Sequence, residues 1–307
     1  MERVVCIIAG PTCAGKTDVG ISLAQKLNGE IISADSRQVF KHLNIGTAKP
    51  SKEKLGKVKH HFIGELEPDV VFNASKFELG AIEKINKIFD EGKTPIVVGG
   101  SGLYIKALVD GIMNNVDTDF EYRNELYALR EKFGNEYLYK NLEKVDPKSA
   151  EEMLPQNWKR VIRSLEVFHL TGKPIWVHQK EFVRKIDFEF VQFGLSWKRK
   201  MLYHNINKRV DIMVENGLVE EVKEILKLGF SKELYALNTV GYKEIISYLD
   251  GEFDLERAVE LIKRNTRRYA KKQMTWFRAC SKINWLQVEG SEDIDKIASE
   301  IAGSFKV

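Results

Sequence analysis

A chain of 307 residues can bury a large core and suits one big domain, or one with a smaller addition. With 43% hydrophobic and 30% charged residues it has a soluble globular composition; no charged apolar leader or run of ~18 apolar residues points to export or a membrane span. The formal net charge of +4 is too small to announce a nucleic-acid partner by itself, and Cys6, Cys13 and Cys280, in no metal-type spacing, read as reduced cytoplasmic thiols.

The apolar run Val4–Ala9 reads as a buried strand and leads directly into GPTCAGKT, Gly10–Thr17. That stretch fits the phosphate-loop pattern G-x-x-x-x-G-K-[ST] at every position. Gly10, Pro11, Thr12, Cys13, Ala14 and Gly15 form a loop whose glycines let backbone N–H groups turn inward, and the following helix N-terminus adds its positive dipole end. Lys16 supplies a point charge for the terminal phosphate, and Thr17 a hydroxyl for Mg²⁺. The loop specifies a di- or triphosphate but not the reaction. A nucleotide kinase, another ATP-binding protein, or a transferase that expels pyrophosphate would all use it.

Val19, Leu23 and Leu27 recur every four residues, as one face of a helix does. Glu30–Ser36 and Thr94–Ser101 read as further strands buried on both faces. Between them lies a helical pattern with Phe77, Ile82, Ile85 and Phe89 inward and Gly92 at its end. Strand alternating with helix means a doubly wound parallel sheet, an α/β fold. Asp35, at the end of the second strand, has three readings: an Mg²⁺ ligand as in nucleotide kinases, a general base, or a helix cap. Position alone does not choose among them. His60 and His61, without other ligand-type residues around them, read as structural.

From Asp117 the character changes to charged, aromatic-rich helical segments with no strand pattern among them, so residues 117–187 read as a helical insertion in a P-loop core formed by 1–116 and 188–307. Trp158 and Trp176 within it read as packing residues. Asp187–Trp197 returns to strand character, and 204–229 reads as one long helix with Ile206, Val210, Met213, Val214 and Leu218 inward. Further helix spans about Leu255 to Ala279, and Ile283–Val288 makes a final strand. KRNTRRYAKK, Lys263–Lys272, carries six cations in ten positions. A stripe of Val259, Ile262, Thr266, Tyr269, Gln273 and Trp276 suits packing on the sheet, with Arg264, Arg268 and Lys271 projecting away.

GPTCAGKT, SADSRQVFKHLNIGTAKP, HHFI, VVGGSGLYIKAL, KRVIRSLEVFHLTGKP, NTVGYKEI and RNTRRYAKKQMTWFR, in this order from Gly10 to Arg278, together resemble the tRNA dimethylallyltransferases, or tRNA isopentenyltransferases. Departures are small: Lys59 stands where Pro is usual and Phe40 where Tyr is common. The resemblance implies a prenyltransferase that moves the five-carbon group of dimethylallyl diphosphate to the exocyclic amine of an adenosine. That adenosine lies immediately 3′ of the anticodon in tRNAs reading codons that begin with U. The loop then holds a departing pyrophosphate with Mg²⁺, not a nucleoside triphosphate. Further implications are Arg209 on the same pyrophosphate, Asp35 as the base that takes the amine proton, and Ser101 beside the adenine. The family's tRNA contacts map onto Asp35, Ser36, Arg37 and Gln38, onto Lys159, Arg160, Val161, Ile162 and Arg163, and onto Ser101 and Arg123. Gln38 offers an amide to a base edge, Lys159 and Arg163 share a helix face at i, i+4, and the Lys263–Lys272 helix becomes a candidate for RNA backbone. The expected protein is a monomer, with no membrane association. Without Cys pairs near its end, it is expected to carry no zinc.

Overall fold

The computed structural model describes residues 3–113, 116–290 and 292–305, so the outermost residues of both expected core segments lie outside the described ones. The chain divides into two units, Met1–Asp110 with Asp187–Val307, and Gly111–Ile186.

The first unit begins with β1 (Val4–Ala9), α1 (Lys16–Lys26), β2 (Gly29–Ala34), α2 (Lys52–Lys57), β3 (His60–His61), α3 (Ala74–Asp90), β4 (Thr94–Gly99) and α4 (Gly102–Asp110). The second unit holds α5 (Phe120–Phe133), α6 (Asn135–Val145), α7 (Pro147–Glu151), α8 (Trp158–Thr171) and α9 (Ile175–Glu181). The first unit then resumes with β5 (Glu189–Trp197), α10 (Arg199–Glu215), α11 (Leu218–Lys227), α12 (Tyr242–Leu249), α13 (Leu255–Arg278), β6 (Ile283–Val288) and α14 (Asp293–Ser304).

Among the described residues one parallel sheet has the order β3-β2-β4-β1-β5-β6. The central strands β1 and β4 are almost wholly apolar because both faces of the sheet are covered there. Cys6, Ile8, Ile31, Ile96, Val98, Phe193 and Leu195 join a cluster with Val19 and Leu23 of α1 and Ile297 and Ile301 of α14. The alternate residues Val5, Ile7, Ile32 and Val97 are equally buried, as strand geometry requires for the opposite face. Registers bring the carboxyl ends of the central strands level, with Ala9 and Ala34 each beside Gly99 and Ala9 beside Gly194. In an open α/β sheet that edge is where ligands bind. No helix among the described residues is long and apolar enough to cross a membrane.

Several local expectations are corrected. The run 204–229 is two helices, because Gly217 takes φ +92° and ends the path of α10 before α11 begins. The inner face of α3 is Phe77, Ala81, Ile85 and Ile88, whereas Ile82 and Phe89 are only half-buried. The buried stripe of α13 is Ala258, Ile262, Ala270, Gln273 and Phe277; Tyr269 and Trp276 are 42% and 41% exposed. Arg264 is half-buried against Asn265, while Arg268 and Lys271 are exposed. The two-residue β3 and the helices α2, α4, α12 and α14 stand where the sequence reading names no element.

The His pair is explained by β3. His61 Nε2 meets Glu30 Oε2 at 2.7 Å, and His60 Nδ1 bonds the Val58 carbonyl at 2.7 Å. Glu30, 2% exposed, also receives Lys93 at 2.6 Å and Lys59 at 3.1 Å. Burial raises its pKa, but the hydrogen bonds from Lys93, His61 and Lys59 outweigh this and hold it at about 2. A depressed carboxylate pKa stabilises the fold above the unfolded value near 4.5, and that contribution is lost as pH falls toward 2. Glu30→Ala is therefore expected to lower stability at pH 7 by on the order of 3 kcal/mol, with a shrinking difference in acid. Denaturant titrations of both proteins at several pH values check this; a pH-independent difference would contradict it.

In the second unit Leu126, Leu138, Leu142, Ala150, Val161, Ile162 and Leu165 form a core of their own. Glu166, fully buried, is the polar centre of this unit. It accepts from Asp119 N at 2.9 Å, Arg123 Nη2 at 2.9 Å and Arg163 Nη1 at 2.5 Å. Trp158 packs beside that core, edge-on to Tyr127, with the Arg130 guanidinium 4.1 Å over its ring; Lys148 Nζ lies 3.9 Å over Trp176.

Candidate active site

The phosphate loop occupies the turn from β1 to α1. Gly15, at φ +85°, turns the chain into the helix, so the loop N–H groups and the first turn of α1 face one cavity. Lys16 Nζ is folded back on the Pro11 carbonyl at 2.6 Å. Burial, then the positive charge of Arg209, pushes its pKa down to about 8, against an opposing pull from Asp35.

Arg209 reaches the loop from α10, whose Ile206 and Val210 are buried and fix the helix face; its Nη1 lies 3.4 Å from Thr12 Oγ1. Gln273, buried on α13, ties the loop to the end of β4: its Oε1 accepts from Thr12 N and its Nε2 donates to the Gly100 carbonyl, both at 2.9 Å.

Asp35 follows β2. Its Oδ1 accepts from Arg37 N at 2.8 Å and Gln38 N at 3.2 Å, which caps a turn rather than a helix, since the next helix begins only at Lys52. Ser101 Oγ accepts from Ser36 N at 3.0 Å, joining the turns after β2 and β4. Arg37 stacks on Tyr235, 4.0 Å from its ring, and its buried Nη1 has no hydrogen-bond partner.

Two cavities meet here. The first, about 280 Å³, is lined by the loop with Lys16, Thr17, Arg209 and Asp35. The second, about 370 Å³, is lined by Asp35, Ser36, Arg37, Tyr235 and Thr239. Thr12, Asp35, Thr47, Ala48, Arg209 and Tyr269 line both. Each volume is near the lower end for small-molecule sites, ~300–1,000 Å³.

The sequence-derived residues Gly10–Thr17, Asp35, Ser36, Arg37, Ser101 and Arg209 thus fall on the same edge of the sheet. Five others need correction. The Gln38 amide is already used: Nε2 donates to the Thr47 and Ala48 carbonyls at 3.1 and 3.2 Å, so its role is to hold a loop rather than to meet a base edge. Val161 and Ile162, at 0% and 2% exposure, belong to the core of the second unit and offer no side chain to RNA. Arg123 and Arg163 are drawn onto buried Glu166, and Arg163 also onto the carbonyls of Val116 and Asp117; Lys159 and Arg160 remain exposed. Sequence reading gave no role to Tyr269 at the junction, to Gln273 beyond packing, or to Thr47, Ala48 and Lys49. The last three stand in IGTAKP, a stretch that carried part of the resemblance.

Fold and site define an α/β protein whose Gly10–Thr17 loop lines a cavity at the carboxyl edge of a parallel sheet. A family model described as IPP transferase matches residues 38–280. The tRNA dimethylallyltransferase of Acetivibrio thermocellus is 45% identical over 303 residues, covering 98% of this chain and 96% of its own. That of Alkaliphilus oremlandii is 43% identical over 307 residues, covering 100% and 98%. Two solved structures are also similar. The full-length tRNA isopentenylpyrophosphate transferase of Bacillus halodurans is 39% identical with a TM-score of 0.73, covering 99% of this chain and 97% of its own. A eukaryotic dimethylallyltransferase acting on tRNA is 29% identical with a TM-score of 0.85, covering 98% and 78%. The chain belongs to the IPP transferase family, that of the tRNA dimethylallyltransferases.

Proposed function

We propose that this protein transfers the dimethylallyl group of dimethylallyl diphosphate to the exocyclic amine of the adenosine immediately 3′ of the anticodon, in tRNAs reading codons that begin with U. The observation that carries the reading is the position of Asp35, a carboxylate at the junction of a phosphate cavity and a second, aromatic-lined one. Transfer needs the leaving group on one side of a base and the acceptor on the other.

In this reading the loop N–H groups, Lys16 and Arg209 hold the diphosphate. The adenine amine is a poor nucleophile because its lone pair is delocalised, so charge stabilisation on the leaving side must lower the barrier. The amine nitrogen attacks the allylic carbon, the C–O bond breaks with its electron pair going to pyrophosphate, and the nitrogen's proton passes to Asp35. The residues fit Mg²⁺: Thr17, whose hydroxyl belongs to the loop that lines the cavity with Lys16 and Arg209, would hold the ion beside the diphosphate. When bound, Mg²⁺ supplies charge neutralisation of the diphosphate. Ser36, Arg37, Tyr235 and Tyr269 line the space for the acceptor base, Ser101 holds the Ser36 backbone beside it, and the partnerless Arg37 Nη1 offers it a donor. Extruding a loop base into such a pocket is how RNA bases are reached for chemistry. The reading places the protein in the cytoplasm, working as a monomer.

The test is incubation with labelled dimethylallyl diphosphate and tRNA lacking the modification, with AMP and ATP as competing acceptors. Label is expected in tRNA alone. Label in AMP, or steady ATP hydrolysis without prenyl transfer, would overturn the reading.

The insertion, residues 117–187, is proposed to grip tRNA through Lys159 and Arg160. Replacing both by Ala is expected to raise the KM for tRNA and reduce the slope of log binding against log salt by about 2. Arg163→Ala should instead lower the unfolding temperature, because it strips a partner from buried Glu166. An unchanged salt slope in the double variant would shift the grip to Arg268 and Lys271 on α13.

A further inference from the structure

The loop from Asn44 to Lys49 forms part of the wall of the phosphate cavity, through Thr47, Ala48 and Lys49. It lies outside strand and helix, so its position depends on what its backbone bonds. Part is local: Ala48 N donates to the Ile45 carbonyl at 2.9 Å, Thr47 Oγ1 to that of Leu43 at 2.7 Å, and Lys49 Nζ to that of Phe40 at 2.5 Å. Such bonds shape the loop without fixing it to the rest of the protein.

Gln38 Nε2, from the turn after β2, adds bonds to the Thr47 and Ala48 carbonyls, and the attachment farthest along the chain is a carboxylate. Glu221, in the first turn of α11, accepts from three consecutive backbone N–H groups: Asn44 at 3.0 Å, Ile45 at 2.8 Å and Gly46 at 3.2 Å. Tyr242 Oη, from the start of α12, donates to Glu221 Oε1 at 2.6 Å, and its ring covers Gly46 so closely that a Cβ there would lie 2.4 Å from Cε2. Successive N–H groups converging on one point make an anion-binding concavity, which here is filled by the protein's own carboxylate. Four donors on one carboxylate use most of its acceptor capacity. Glu221 stands just past the Gly217 turn after α10, the helix that carries Arg209.

We propose that Glu221, buttressed by Tyr242, is a positioning residue that locks the 44–49 loop against the phosphate cavity and so sets affinity for the diphosphate substrate. It touches no substrate itself. The inference rests on the reading of the Gly10–Thr17 cavity as the leaving-group site.

The variant is Glu221→Gln, which keeps the size but turns an amide NH₂ toward N–H donors; Tyr242→Phe removes one donor and leaves the carboxylate on the loop. Two measurements apply: calorimetric titration with inorganic pyrophosphate and Mg²⁺ in the absence of tRNA, and KM for dimethylallyl diphosphate and for tRNA separately. Glu221→Gln is expected to weaken pyrophosphate and raise the KM for dimethylallyl diphosphate by on the order of 10–10²-fold, with the KM for tRNA within about twofold of the parent. Tyr242→Phe should move the same two quantities in the same direction by less. If Glu221→Gln does not fold, Tyr242→Phe alone decides by that selective shift. A lowered unfolding temperature with unchanged pyrophosphate affinity, or equal rises in both KM values, would overturn the proposal. Pyrophosphate titration needs no prenyl transfer, so a parent protein inactive on tRNA would count against the proposed function and leave this test standing.

Discussion

Asp35→Asn is expected to lower the rate of dimethylallyl transfer by ~10²–10⁴ while leaving tRNA and diphosphate binding within a few-fold of the parent. Asn is the sharper substitution because Asp35 holds a turn besides its proposed role as base. Its Oδ1 holds the turn through Arg37 N and Gln38 N, and an Asn oxygen preserves both bonds. What Asn removes is the capacity to take a proton from the amine. Asp35→Ala removes both and should add weakened tRNA binding to the lost rate, since Arg37 and Gln38 follow the turn. Single-turnover rates at saturating tRNA separate the two effects. An Asn variant turning over within a few-fold of the parent would reduce Asp35 to a cap.

The second large effect concerns Lys16. Diphosphate binding favours the ammonium, yet in the free protein burial and Arg209 hold the Lys16 pKa at about 8. Affinity for dimethylallyl diphosphate should therefore be flat below about pH 8 and fall up to about tenfold per unit above it. The free protein's stability should move the other way. The folded state penalises the charged amine relative to the unfolded value of 10.5, and this penalty disappears as pH rises from about 8. Lys16→Ala should weaken binding by roughly 10–10²-fold, the worth of a charged hydrogen bond, and flatten the profile above pH 8. Calorimetric titrations with dimethylallyl diphosphate from pH 6.5 to roughly 9.5 check both statements. A parental profile that stays level to the top of that range would show that Lys16 does not titrate against the ligand.

These predictions draw unequally on what the sequence made visible. The phosphate loop was legible because its physics is local: two glycines five positions apart, a lysine and a threonine between a strand and a helix specify a cradle. The parallel sheet was legible because strands buried on both faces leave unbroken apolar runs, whereas β3, two residues long, leaves no pattern. Gly217 was present in the sequence, yet a lone glycine between two amphipathic stretches does not declare a left-handed turn. Arg209 reads as an exposed helix charge by composition, and only the resemblance carried it to the loop. Gln273, Glu221 and Tyr242 act across more than 170 residues or between different helices, so no window of sequence holds both halves of their contacts. Val161 and Ile162 show the reverse fault. A contact region carried over as a block included the helix face that builds the insertion's core.

The central claim is that one edge of this sheet joins an isoprenoid carbon to a tRNA adenosine. The most direct measurement is nucleoside mass spectrometry of an unmodified tRNA that reads a codon beginning with U, after incubation with the protein, dimethylallyl diphosphate and Mg²⁺. A single added five-carbon unit is expected on the exocyclic nitrogen of the adenosine 3′ to the anticodon. The product is expected to be lost when that adenosine is replaced by guanosine or Asp35 by Asn. TRNA recovered unmodified by a folded, pyrophosphate-binding protein, or the five-carbon unit found on another nucleoside, would contradict that claim.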